Sequence, residues 1–158
     1  MEEPNGERVL AELAYTLSLR TLGQQEASLN ELRARTGTLL AATVLVASFF
    51  GATAIARDGF DVWTVFALIA LVASVVFAAR VLLPQGEMIF SLRGSALYEF
   101  EIEDEVGIAE TYRRLTYWLE GYYDENRPNI ALLFGFYRIS VFALLAEIGF
   151  WSLQLALD

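Results

Sequence analysis

The feature that most limits what this chain can fold into is a pair of long uncharged stretches set only five residues apart. Residues 36–56 read TGTLLAATVLVASFFGATAIA, and residues 62–79 read VWTVFALIALVASVVFAA, neither with a single charge. A helix of the first length rises about 30 Å, the thickness of a bilayer's hydrocarbon core. The second run continues past Arg80 through Val81, Leu82 and Leu83 to Pro84, which stops it. Between the two lie Arg57, Asp58, Gly59, Phe60 and Asp61, where the Asp-Gly pair favours a turn. Two helices joined so tightly run antiparallel as a hairpin. Helices apolar on every face need lipid or a large protein interior around them, and 158 residues are too few to enclose two.

A third apolar segment covers residues 139–157, with Glu147 its single charge and Arg138 just ahead of it. A central acidic residue costs on the order of 3 kcal/mol on insertion, while each Leu, Ile, Phe or Val returns roughly 0.3–0.6 kcal/mol, so the segment is expected to span. A helix lying on the membrane surface is the rival reading. The expected fold is therefore an all-α integral membrane protein with three transmembrane helices, a hairpin plus one. Residues 1–35 form a cytoplasmic N-terminal helix, 36–83 the hairpin, 84–130 a mostly helical cytoplasmic region and 131–158 the last transmembrane helix.

Arginine placement orients this arrangement, because basic residues flanking short loops are retained in the cytoplasm. Arg33 and Arg35 precede the first span, Arg80 ends the second and Arg138 opens the third, whereas the hairpin loop holds only Arg57. Phe49, Phe50, Phe60 and Trp63 then cluster at the outer boundary, where aromatic rings anchor. The first 36 residues carry charge of both signs and no apolar run, unlike a cleavable signal peptide. The N-terminus is therefore expected to be cytoplasmic, with the lipid bilayer as the first partner.

Chemistry is constrained by what is missing. The chain has no histidine and no cysteine, which removes the usual general base, the commonest metal ligand and any disulfide. No glycine-rich phosphate loop is present. No cofactor, no metal and no catalysis are expected, and a net charge of -9 argues against nucleic acid as a partner.

Residues 7–35 are predicted helical, with Leu10, Leu13, Leu17, Leu22, Leu29 and Leu32 at near-heptad spacing and Gly23 the weak point. Residues 104–123 place Ile108, Tyr112, Leu115, Leu119 and Tyr122 on one helical face, making this helix the natural mate of the first. The segment Asp124, Glu125, Asn126, Arg127, Pro128 should end it, after which Asn129 caps a helix running into the third span. Ser95 is a candidate cap for a short segment. Residues 98–103 alternate like a strand, although a helix would also accommodate them.

Among residues that could carry function, Glu147 stands out, since an ionisable group near mid-membrane is costly and faces a bundle interior or a water path. Ser140, Glu147 and Gln154 are seven residues apart and form one polar stripe, which either lines a pore, mediates self-association or is satisfied by a neighbouring helix. Small residues line up as Gly37, Ala41 and Ser48 on the first span and Ala67, Ala70, Ser74 and Ala78 on the second, a pattern suited to packing the hairpin on itself, with a subunit interface the rival reading. Arg113, Arg114, Tyr117 and Trp118, with Tyr122 and Tyr123, offer positive charge and stacking surfaces, as a nucleotide ligand needs, or else pair locally. The acidic cluster Glu99, Glu101, Glu103, Asp104 and Glu105 lacks the spacing of a calcium loop and reads as a solvated face.

The run LNELRARTGTLLAA at 29–42, where a charged helix continues directly into a membrane helix, resembles the corresponding passage of small bacterial effectors of the SLATT and Pycsar transmembrane type. Pro84 closing the hairpin, and YRRLTYWLE at 112–120 ahead of a last apolar helix, are similar to actinobacterial membrane proteins of that group. The likeness is one of layout over about 120 residues. It implies a homo-oligomeric membrane effector of antiphage defence in the bacterial inner (plasma) membrane, pore-forming or membrane-disrupting, that acts when a nucleotide signal is sensed. The chain carries no recognisable cyclic-nucleotide domain, so a separate cytoplasmic sensor protein is the other possible source of the signal. The alternative function is a non-catalytic structural or adaptor subunit of a bacterial membrane complex, with the amphipathic helices as docking surfaces.

Overall fold

The computed structural model describes residues 5–84, 88–91 and 107–157. Among these there is helix and no strand. Helix α1 runs Asn5–Val46, passes through a π-helical turn at Ala47–Gly51 and continues as α2, Ala52–Asp58. Helix α3 is Val62–Leu82, and α4 is Ile108–Leu157. Three helical rods, Gly6–Arg57, Val62–Leu82 and Ile108–Leu157, are long and apolar enough to cross a membrane. Ser95, the alternating stretch 98–103 and the acidic cluster from Glu99 to Glu105 lie outside the described residues.

The turn between α2 and α3 follows from its sequence. Gly59 adopts φ 76°, a left-handed value that glycine takes without strain, and its N–H bonds back to the Ile55 carbonyl at 3.1 Å. Asp61 then caps α3 in a capping box with Thr64, so the reversal needs only three non-helical residues. At its other end α3 stops at Leu83, whose extended backbone is what a following Pro84 requires.

The chain divides into two compact units. The first comprises Met1–Leu29 and Gln85–Asn129, the second Asn30–Pro84 and Ile130–Asp158. In the first unit Leu22, Leu29, Leu115 and Leu119 are buried, Tyr15 meets Tyr112 at a ring distance of 5.4 Å, and Gln25 donates to the Tyr123 carbonyl. The expected pairing of the N-terminal helix with 104–123 is therefore present, but not through the leucines at its start. Leu10, Leu13 and Leu17 are all more than half exposed. The face turned inward carries Tyr15 and Ser18 instead, the latter donating to Glu120.

One expected break is absent. Helix α1 runs through its weak point at Gly23 as the sequence suggests, but α4 passes through Pro128 without ending. Proline removes one backbone hydrogen bond and crowds the preceding turn, a cost of about 3 kcal/mol. Packing on either side holds the helix together: Asn126, Ile130 and Leu133 are buried, and the Asn126 side chain both donates to and accepts from the backbone of Ile89.

The second unit has the polarity of a water-soluble bundle reversed. Its exterior carries Val44, Leu45, Phe49, Ile69, Val72, Phe142 and Leu145, while Thr36, Thr43, Thr64, Ser74, Ser140, Glu147 and Gln154 are buried. Large side chains facing outward with hydroxyls facing inward is the distribution that lipid, and not water, selects. This unit is membrane-associated. Helix α3 packs through Ala67, Ala70, Ser74 and Ala78, as its small-residue face predicts. On the first rod, however, Gly37 and Ala41 of α1 and Ser48 of the π-helical turn are exposed, and the buried positions are Thr36 and Thr43. The hydroxyls of both threonines donate to their own helix four residues back, at Leu32 and Leu39, which lets a polar residue sit at a tight helix contact.

Candidate functional site

The most unusual chemistry in the second unit is its buried polar ladder. Along α4 the buried positions Asn126, Leu133, Ser140, Glu147 and Gln154 recur every seven residues, so Ser140, Glu147 and Gln154 all point into the bundle and none is exposed. Each rung stands about 10 Å from the next.

The lowest rung is closed on itself. Ser140 Oγ donates to the Ser74 carbonyl at 2.7 Å, and Ser74 Oγ donates to the Ser140 carbonyl at 3.1 Å. The two hydroxyl oxygens lie 3.2 Å apart, with Thr43 Oγ1 also 3.2 Å from Ser74 Oγ. Three helices thus meet at one hydroxyl cluster in which every proton has an acceptor.

The far rung fastens the hairpin turn. Thr64 Oγ1 donates to Gln154 Oε1 at 2.9 Å, and Gln154 Nε2 reaches the Gly59 carbonyl at 3.5 Å. Arg57 Nη1 meets the Leu155 carbonyl at 3.4 Å, tying the same turn to the end of α4.

The middle rung is different. Glu147 is 0% exposed, and its carboxyl makes no well-formed hydrogen bond; the polar group beside it is the indole N–H of Trp151 one turn on, which has no other partner. Below it lies the Thr43, Ser74 and Ser140 layer, and beyond it Ala54, Ala67 and Trp151 form an apolar cluster. Between these layers α3 offers Ala70, which has no donor, and α1 offers the π-helical turn, whose one hydroxyl, Ser48, points outward and bonds to Val44. Burying an ionisable group without partners is among the costliest arrangements a protein can adopt. π-helical turns are rare and concentrate at functional positions.

The membrane-flanking residues fall as follows. Arg35 pairs with Glu31 on the helix surface, Arg33 is half-buried, and Arg80 and Arg138 are exposed. Trp63 stacks on Phe150, and Phe66 completes the aromatic group. Phe49 and Phe60 are exposed, as anchoring rings would be.

In the first unit, the residues expected to form a ligand patch are only partly brought together. Arg113 and Tyr117 line a groove of about 450 Å³ together with Glu7, Leu10, Ala11, Ala14, Ala109, Glu110, Thr116 and Glu120, whereas Arg114 and Trp118 do not line it. Both arginines are engaged by one carboxylate: Arg113 meets Glu110 at 2.7 Å and Arg114 Nε donates to it at 3.0 Å. The Arg114 and then the Arg113 guanidinium hold the Glu110 carboxyl below its ordinary value. The positive pair is thus met locally. Among the described residues no three acidic side chains are placed to share a metal ion.

Sequence spacing found the α4 side of the ladder and placed Ser74 on the packing face of α3, but missed Thr43 and Thr64 opposite it. The seven-residue interval from Thr36 to Thr43 is the signal that points to the first of them. What fold and site define together is a small all-helical chain with three membrane-capable helices around a polar interior. Comparison with family models, with curated proteins and with solved structures finds no match.

Proposed function

We propose that this chain is a homo-oligomerising membrane effector, resting as a closed bundle and acting by permeabilising the bacterial inner membrane. In the resting state the ladder faces inward. On triggering, the helices of the second unit separate and re-associate with those of other copies, so that Ser140, Glu147 and Gln154 line a water-filled path. The N-terminus lies in the cytoplasm. The observation that carries this reading is Glu147, fully buried with no well-formed hydrogen bond and only the Trp151 indole beside it. An ionisable group inside a membrane bundle costs more than an apolar residue of similar size would, so a carboxyl at this position argues for a second state in which it meets water. The resemblance to SLATT and Pycsar membrane effectors points the same way.

Induced expression in bacteria loaded with a membrane-potential dye tests it. Wild-type protein should depolarise the cells on triggering or at high expression, and Glu147→Leu should abolish this while inserting normally. Depolarisation that survives Glu147→Leu would remove the ladder from the mechanism. A second reading, a non-catalytic adaptor subunit of a membrane complex, is favoured by the exposed leucines of the first unit. It predicts an intact potential together with co-purification of an unrelated membrane protein.

A further inference from the structure

The first unit carries an apolar face that nothing in the described chain covers. At 100° per residue, Leu13, Leu17, Leu10 and Ala14 fall side by side on α1, and the three leucines are 54%, 55% and 68% exposed. Leu10 and Ala14 of this stripe line a groove together with Ala11, the buried Ala109 and Tyr117, 67% exposed, and Leu13 and Leu17 continue the apolar surface beside it. Small residues between large ones form the furrow into which a third helix packs.

Charge identifies the occupant. The whole net charge of -9 falls within the residues of the first unit, and those of the second sum to zero. The groove rim repeats this bias, with Glu7, Glu110 and Glu120 against Arg113, which Glu110 already engages. A second copy would bring the same acidic unit against it, and anionic headgroups would be repelled likewise. Residues 92–106 are themselves acidic in sequence and lack the complementary charge. The stripe also extends for two helical turns, longer than a small amine would fill.

We infer that the groove between the start of α1 and the start of α4 is a docking site for a basic amphipathic helix of a partner protein. Its leucines would lie between Leu10 and Tyr117, and its Lys or Arg residues would reach Glu7 and Glu120. The site lies wholly in the first unit and does not depend on whether the second unit opens.

The test uses the full chain in nanodiscs of zwitterionic lipid and a fluorescent 18-residue helical peptide of leucine and lysine with leucines at i, i+3, i+4 and i+7. Its counterpart with glutamate for lysine serves as control. Binding of the basic peptide should weaken at least about tenfold in Leu10→Glu/Leu13→Glu and in Glu7→Lys/Glu120→Lys. Asp124→Lys/Glu125→Lys, which changes the net charge equally away from the groove, should leave it within about twofold. Because all these side chains lie on the surface, helicity by circular dichroism should match wild type in each variant. Equal weakening by the two charge-reversed pairs would reduce the effect to bulk attraction and overturn the proposal. So would equal binding of the acidic peptide, displacement of the peptide by a small amphipathic amine at equal concentration, or a change in oligomeric state of the Leu10→Glu/Leu13→Glu protein, which would assign the face to a second copy.

Discussion

Gly51 lies against the indole of Trp151 so closely that a β-carbon at position 51 would stand 3.1 Å from Cζ2 and 3.4 Å from Cη2. With Ala54 and Ala67 also touching Trp151, the ring has little room to yield. In lipid there is no hydrophobic drive between helices, so this dispersion contact is a large part of what holds them. Gly51→Val should destabilise the folded protein by roughly 1–3 kcal/mol through overpacking, and Gly51→Ala by less. Thermal unfolding in detergent, followed by circular dichroism, measures both.

Ser74 and Ser140 each donate to the other's carbonyl, so removing either hydroxyl leaves one interhelical hydrogen bond in place. Interhelical bonds of this kind in membrane proteins contribute about 0.6 kcal/mol on average and up to about 1.7 kcal/mol. Ser74→Ala and Ser140→Ala should each destabilise within that range, with Ser74→Ala the more costly because Thr43 loses a neighbour too. A double-mutant cycle should give a coupling energy of a few tenths of a kcal/mol or more; strict additivity would show that the two bonds form independently.

Asn126 presents both halves of its amide to Ile89, donating to the carbonyl at 2.8 Å and accepting from the N–H at 3.3 Å. Asn126→Ala leaves two backbone groups without partners and should cost about 1–3 kcal/mol. Asn126→Asp keeps the acceptor only and should fall between. Hydrogen exchange at the Ile89 amide reports the difference directly, since it accelerates in the alanine variant and stays protected in the aspartate one.

Glu110 gives the first unit an acid sensitivity whose sign follows from its partners. Arg114 and Arg113 hold its carboxyl below the ordinary value of 4.5. A carboxyl depressed in the folded state contributes stability that is complete above the unfolded value and is lost as pH falls through the folded one. The first turn of α4 should therefore fray as the pH drops below about 4.5, seen as faster amide exchange over residues 108–114. Glu110→Gln should show that faster exchange already at neutral pH and little further change on acidification.

Much of this architecture was legible in the sequence, for reasons particular to its residues. Residues 36–56 and 62–79 declare themselves because an uncharged run of that length has few places to go except lipid, and Asp58, Gly59 and Asp61 place a turn where the structure has one. The polar stripe on α4 was legible because seven residues make nearly two whole turns. Its partners were not, since a threonine such as Thr43 satisfies its hydroxyl on its own helix, and spacing alone does not say which face meets a neighbour. Leu10, Leu13 and Leu17 are legible as an apolar face, but not as one that the 104–123 helix leaves uncovered. Periodicity locates such a face without saying whether the same chain covers it. Pro128 misled because the rule for proline is local, whereas Asn126, Ile130 and Leu133 act from outside the turn.

The π-helical turn has a consequence for how many residues the first helix can lose. Buried positions on α1 advance from Leu22 to Leu29, Thr36 and Thr43, which would bring Phe50 inward next; instead Phe50 is 37% exposed and Gly51 takes the interior place. One extra residue is absorbed in that turn, and it is what keeps a phenyl ring from colliding with Trp151. The first helix therefore holds a spare. Excising Phe49 should restore ordinary winding, keep Gly51 on the indole and leave a folded protein, whereas excising Leu40 would rotate every later side chain of the rod away from its neighbours.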